Sequence, residues 1–345
     1  MKGELWISRE TDIKHKSGKM DVVYLILMIV IIFFDRKKVK FGFSKQSVLA
    51  IKGFGTLLIL FHHLSQRNYG HIFNNFGYLG VSLFFFVSGY GLYQSYINQN
   101  DYWKKIIFKK IPKLLQYMSV TVVISIVVFT LLGYPVSLKE VLISVSGNRL
   151  LNWYFLALII KYIIFVISII ASKGNDKLVL FYTIIFIFLY IVVLKAMGAD
   201  TFWYQSSISF VYGIYISMFI DNSRVMEHRS TILKFNAIFF VLFFIIINYT
   251  TVFISISFLQ IVITYLLNII ICNIAFVYFS SYTSVSILNN IGEKSAEIIL
   301  MQEIALFTFR NKHIYLYNDF IWVICSVLLL VFLAFILNKI IEKIN

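Results

Sequence analysis

Apolar residues along this chain fall into long blocks separated by short polar stretches. Eleven such blocks can be drawn, over roughly residues 20–34, 47–64, 77–97, 114–133, 153–171, 178–194, 203–220, 235–253, 255–280, 297–310 and 320–338. Most approach the twenty or so residues that a helix needs to cross a hydrocarbon core of about 30 Å. Two prolines and sixteen glycines leave few breaks inside them. The pattern predicts an all-α integral membrane protein, a bundle of about ten or eleven transmembrane helices. The first and tenth blocks, about fifteen residues each, are the shortest for a full crossing. With no internal repeat, low-complexity tract or long hydrophilic insertion, any chemistry falls to the bundle itself.

Composition agrees with the pattern. The 345 residues are 60% hydrophobic and only 14% charged, with a mean hydropathy of +0.84. A soluble domain of this length has too little interior to hide so much apolar side chain. The net charge of +15 is read through the positive-inside rule and not as a nucleic-acid footprint. If the stretches 35–46 and 98–113 face the cytoplasm, alternation also puts Lys173, Lys177, Arg224, Arg229, Lys234, Lys294, Lys339 and Lys343 inside. The opposite loops then hold only Arg67, Lys139, Arg149, Lys195, Arg310 and Lys312, six cations against eighteen. The tail runs against this bias, because it carries Lys2, Arg9, Lys14, Lys16 and Lys19 on the outer side. Either the first block does not cross, or translation starts at Met20; a signal peptide is a weaker reading, since no small-residue cleavage site follows the block. Residues 1–45 are thus set apart as a tail with an extra apolar segment, and 46–345 as the membrane domain. Cys272 and Cys325 both lie in apolar blocks without metal-ligand spacing.

The second block holds the candidate chemistry. It carries Lys52 at its cytoplasmic end and the pair His62 and His63 toward the other. Eleven residues are almost three helical turns, so Lys52 and His63 share a face about 16 Å apart along the axis, while His62 points roughly 80° away. A neutral imidazole there can take a proton from a hydroxyl and return it. The bland alternative is that both histidines hydrogen-bond a neighbouring helix or sit at the membrane boundary. The third block reads GVSLFFFVSG over 80–89. Its glycines, with Ser82 and Ser88, suit close helix packing, and Ser88 can hydrogen-bond across such a contact. Lys161 and Glu303 are ionisable residues within apolar blocks and should face the bundle. Two outcomes stay open: they pair with each other, or Glu303 orients His63.

The order Lys-x10-His, then Gly80–Gly89, then a basic cluster resembles the acyltransferase-3 family of membrane O-acyltransferases. In that resemblance Lys52 stands where Arg is commoner, and Ser82 where an acidic residue is usual. The family's cytoplasmic basic segment ending near a proline is similar to Lys105, Lys109, Lys110 and Pro112, and implies a clamp for the phosphates of coenzyme A. Trp153, in Asn152–Leu156, resembles the family's Trp-Phe-Leu helix opening, and equally an interfacial anchor. Ser295–Glu303 resembles the closing helix, with Gln302 where a histidine is frequent, so no catalytic role is carried onto Gln302.

The resemblance implies acetyl transfer from cytoplasmic acetyl-CoA to a hydroxyl of a cell-envelope glycan, such as capsule, exopolysaccharide or a lipid-linked oligosaccharide unit. His63 would be the base, Ser88 a donor to the oxyanion, Glu303 the orienting carboxylate, and Lys52, Lys105, Lys109, Lys110 and Trp153 the cofactor contacts. It implies the plasma membrane of a bacterium, lipid as the surrounding partner, no nucleic acid and no metal. A flippase or permease for a lipid-linked or anionic substrate is the alternative, weakened by the lack of paired Gly/Pro-broken helices or an inverted repeat. A polysaccharide polymerase would be expected to carry a larger outer loop than 134–152.

Overall fold

The computed structural model describes residues 19–34, 36–38, 42–68, 72–134, 153–220, 222–249, 257–284 and 287–344. Among them are twelve helices: α1 (Lys19–Phe34), α2 (Lys45–Arg67), α3 (Gly77–Ile97), α4 (Tyr102–Leu131), α5 (Trp153–Ser172), α6 (Asp176–Ala196), α7 (Ile208–Phe219), α8 (Asn222–Tyr249), α9 (Ser257–Ser281), α10 (Ile287–Glu293), α11 (Ser295–Thr308) and α12 (Asp319–Ile344). Each predicted block overlaps a helix, with α4 and α8 starting twelve and thirteen residues ahead of theirs, and α10 is the added one. Seven helices, α2, α4, α5, α6, α8, α9 and α12, are long and apolar enough to cross a membrane. α3 has the length at 21 residues and is buried along its middle. α1, α7 and α11 are shorter, at 16, 12 and 14 residues. The protein is a multi-pass membrane helical bundle, with one small antiparallel pair, β1 (Arg36–Lys38) with β2 (Tyr282–Ser284).

Helices α2 and α3 form the centre, and glycine is what lets them sit there. A Cβ at Gly89 would fall inside the Phe210 carbonyl of α7, and one at Gly213 inside that of Phe86 on α3. The same reciprocal arrangement joins Gly53 to Leu288 and Gly292 to Leu49, docking α10 on α2. Small residues here allow backbone-to-backbone approach. α2 starts with a capping box in which the Ser44 hydroxyl accepts from the Ser47 N–H and the Ser47 hydroxyl from the Ser44 N–H.

These contacts fix relative depth. α2 and α3 run antiparallel, with His62 against Gly77, Ile59 against Gly80 and Gly55 against Phe84. α1 is antiparallel to α2: Asp21 meets Ser65 and Tyr24 stacks on Phe61. By that register α1 runs from the level of His63 to that of Lys52, so the first block does line the bundle. α5 is parallel to α3, since Phe85 meets Tyr154 and Tyr96 meets Phe165, eleven residues on along both. α9 also runs parallel to α3, with the Cys272 thiol on the Ser82 carbonyl.

Candidate active site

The C-terminal end of α2, the outer one if the lysine-rich loops face the cytoplasm, carries a cluster that local helix geometry assembles. His63 and Arg67 are one turn apart and face the same way. Glu303, from the middle of α11, meets both: its Oε1 lies 3.2 Å from His63 Nδ1, and its Oε2 accepts from Arg67 Nη2 at 2.9 Å. A proton on Nδ1 thus faces the carboxylate, which leaves Nε2 as the nitrogen available to a substrate. The Glu303 side chain is 46% accessible although protein surrounds it, whereas Arg67 is 15% accessible. The cluster therefore opens onto a recess that water can enter. His62 does different work. Its Nδ1 donates to the Phe73 carbonyl at 3.3 Å, and its ring lies against Gly77, where a Cβ would come within 2.5 Å of Cδ2. His62 holds α2 to the entrance of α3.

A second layer fixes that end of α2. Arg310, buried after α11, donates to the Arg67 carbonyl and to Asn68 Oδ1, both at 2.7 Å, pairs with Asp319 and lies over the Trp322 ring at 4.2 Å. It satisfies a carbonyl that the helix end would leave open. From α1, the buried Asp21 accepts from the Ser65 hydroxyl at 3.0 Å and from the Ile72 N–H at 2.9 Å. Asn68 donates to the Tyr24 hydroxyl at 2.8 Å. None of Arg67, Arg310, Asp21 and Tyr24 was singled out as a site residue from sequence. Only Arg67 had a readable signal, its position four residues after His63.

The expected site residues divide by depth. Lys52 is largely enclosed within α2, about three turns below His63, and Lys110 of α4 stands close enough to act on its charge. The Lys110 ammonium also lies 5.3 Å from the Tyr102 ring centre. Lys105 donates to Gln99, and Lys104 to Asp101 at 2.7 Å, which holds that exposed carboxyl below the usual carboxylate range. Lys109 lies on the exposed side of the same turn. Residues Ile106–Lys110 form a π-helical turn within α4, with Pro112 just after it. Such turns change the direction in which successive side chains leave a helix.

One residue differs from expectation. Ser88 is eleven residues beyond Gly77 on α3, about 16 Å from the level of His62, and hydrogen-bonds with Tyr162 of α5. The geometry does not bring it to His63 as an oxyanion donor. Trp153 opens α5 opposite Phe84 by the α3–α5 register, about 10 Å deeper than His62. It is close to the depth of Lys52, among the expected cofactor contacts, with its ring against Phe202 and Trp203.

Of the two outcomes left open for Glu303, the structure realises the one with His63. Lys161 is fully buried on α5, its ammonium 4.1 Å from the Phe85 ring centre and 4.7 Å from that of Tyr190, with the Ala157 carbonyl at 3.5 Å. Gln302, beside Glu303, is buried.

An imidazole backed by a carboxylate at one end and lysines about 16 Å away at the other suits proton transfer on a substrate whose anionic part is held at a distance. Compared with known protein families, residues 46–339 match the acyltransferase domain of the acyltransferase-3 family, nearly the whole chain. No curated protein and no solved structure matches.

Proposed function

Because this chain belongs to the acyltransferase-3 family, and so is a membrane acyltransferase, we propose that it moves an acetyl group from cytoplasmic acetyl-CoA to a hydroxyl of a cell-envelope glycan. The observation that carries this reading is the contact of His63 with Glu303 on the face of α2 that also bears Lys52. Lys52 and Lys110, with Lys105 and Lys109 at the mouth, supply positive charge for the phosphates of coenzyme A. An extended chain covers about 3.5 Å for every three backbone bonds, so a pantetheine arm has the reach to bring its thioester toward His63.

His63 Nε2 takes the proton of the acceptor hydroxyl as that oxygen attacks the thioester carbonyl. Arg67 supplies the nearby positive charge as the oxyanion develops. The attack forms the ester C–O bond; collapse of the tetrahedral intermediate re-forms the carbonyl, breaks the C–S bond and returns the proton from His63 to the departing thiolate. Glu303 holds the imidazole ring and stabilises its protonated form. Membership of an acyltransferase family favours this reading over transport or polymerisation.

The test uses purified protein in nanodiscs with radiolabelled acetyl-CoA. Wild type should bind it and release CoA. His63→Ala should lose release by roughly 10²–10⁴-fold while staying folded and still binding the donor. Equal release by both proteins, or neither binding nor turnover by a well-folded wild type, would overturn the reading.

A further inference from the structure

A second recess lies at the outer end, away from His63. It is an open cleft of about 100 Å3 lined by Thr201, Tyr204, Gln205, Gln260, Thr264 and Tyr265, with Ile261 at its side. That is room for one face of a single ring, below the roughly 300–1,000 Å3 of sites that enclose a whole small molecule. Two amides, two threonine hydroxyls and two phenols give it donors, acceptors and flat apolar faces, and none of its lining residues is charged. A binding site for a charged group needs an opposite charge or a helix end to replace lost hydration. This lining instead matches a ligand whose polar groups are neutral hydroxyls.

The Tyr265 hydroxyl is buried and has no hydrogen-bond partner, and neither has the Asn268 Oδ1 one turn further along α9. A buried polar group left open is costly, and most are satisfied. Open groups beside a polar cleft mark where a ligand completes the bonding. The other half of Asn268 is committed, since its Nδ2 donates to the Gln205 carbonyl at 2.6 Å. That bond ties the loop after Thr201–Trp203 to α9 and gives the cleft a fixed wall. Phe202 and Trp203, packed on Trp153, stiffen it from below.

The cleft is registered to the active site through the first turn of α3. The Ser206 hydroxyl, next to Gln205, donates to the Tyr78 carbonyl at 2.9 Å, and Gly77, the residue before Tyr78, packs on His62. The cleft and the histidine pair therefore lie at a similar depth, against adjacent residues of the first turn of α3. A ligand in the cleft is too far from His63 to be the group that reacts, yet near enough to be joined to it.

We propose that this cleft is a sugar subsite, holding a neutral pyranose ring of an oligosaccharide while a neighbouring ring crosses the start of α3 and presents its hydroxyl to His63. The inference rests on the glycan-acceptor reading above and adds that the acceptor is an oligosaccharide with an uncharged ring beside the acetylated one. The Tyr265 hydroxyl, Gln205 and Gln260 would bond the ring hydroxyls, and Tyr204 would offer its face.

Saturation-transfer NMR on nanodisc protein tests it with neutral tetrasaccharides of glucose, N-acetylglucosamine and galactose, and with the anionic tetrasaccharide of hyaluronan. At least one neutral probe should receive saturation, and more strongly than the anionic one. Tyr265→Phe removes an oxygen that bonds nothing in the free protein, so its melting temperature should stay at the wild-type value. Its affinity for the neutral probe should fall about 3- to 10-fold, the scale of one hydrogen bond. Gln205→Ala should fall similarly. Absence of transfer to all three neutral probes, equal binding by Tyr265→Phe, or stronger binding of the anionic probe would each overturn the proposal. CoA release by wild type against His63→Ala, measured on the same preparations, reports on acyl transfer separately. If release fails while Tyr265-dependent sugar binding persists, the transfer reading falls and the sugar site stands.

Discussion

Replacing Glu303 by Gln keeps the size of the side chain and removes its charge, which isolates the part the carboxylate plays at His63. A hydrogen bond to a charged group contributes about 1.5–3 kcal/mol net. Glu303 is 46% accessible, so water screens the pair and the lower end of that range applies. If about 1.5 kcal/mol is expressed only when the imidazole becomes protonated, kcat for CoA release should fall about tenfold, since 1.36 kcal/mol is one decade. KM for acetyl-CoA should hardly move, because the lysines proposed to bind the phosphates lie about 16 Å away along α2. Loss of a nearby counter-charge also touches Arg67, and a purely structural disturbance would slow turnover as well.

The double variant separates the two explanations. In a His63→Ala background the residual rate no longer depends on an imidazole, so adding Glu303→Gln should cost little. A structural role predicts the same tenfold loss in both backgrounds. Glu303→Asp, which keeps the charge on a shorter arm, should recover part of the rate. Equal losses in the two backgrounds, or an effect confined to KM, would refute the assignment of Glu303 as the group that orients His63.

Three further outcomes follow from the geometry. Lys110→Ala should raise KM for acetyl-CoA with kcat nearly unchanged, by roughly tenfold if one charge-assisted phosphate contact of about 1.5 kcal/mol is lost; steady-state kinetics at low ionic strength checks it. Asp21→Ala removes the acceptor of the Ser65 hydroxyl and the Ile72 N–H, and should cost about 1.5–3 kcal/mol, read as a lower melting temperature in detergent, with reduced CoA release because the outer end of α2 loosens. Gly213→Ala places a methyl group inside the Phe86 carbonyl and should destabilise the α3–α7 crossing by about 1–3 kcal/mol, whereas the same change at Gly91, which has open space around it, should be tolerated.

Hydropathy reveals the long helices here because a bilayer demands runs of fixed length, and α2, α4, α5, α6, α8, α9 and α12 answer that demand directly. It misjudged the start of α8. The helix begins at Asn222, thirteen residues before the apolar block, because Arg224, Glu227 and Arg229 sustain a helix without being apolar. The Lys52–His63 relation was readable because it lies within one helix, where 3.6 residues per turn fixes both face and height. The depths of Ser88 and Trp153 were not readable for the complementary reason. Their height relative to His63 depends on the register between α2, α3 and α5, which glycine contacts and aromatic pairs set and the order of motifs does not reveal.

The same reasoning explains why α1 belongs to the working site although it precedes the matched region, residues 46–339. A catalytic residue at the end of a helix inherits the fraying of that end, and His63 is only four residues from the last residue of α2. Three groups outside α2 counter that fraying: Arg310 caps the Arg67 carbonyl, Tyr24 accepts from Asn68, and Asp21 bonds both Ser65 and the chain beyond it at Ile72. Two of the three come from α1. An imidazole must hold its position within a fraction of an ångström to act as a base, so precision at His63 depends on a helix that carries no reacting group. Shortening the chain to begin within the family match should therefore lower kcat more than it raises KM for acetyl-CoA, because α1 grips the outer end of α2 and the proposed lysine contacts lie at the other.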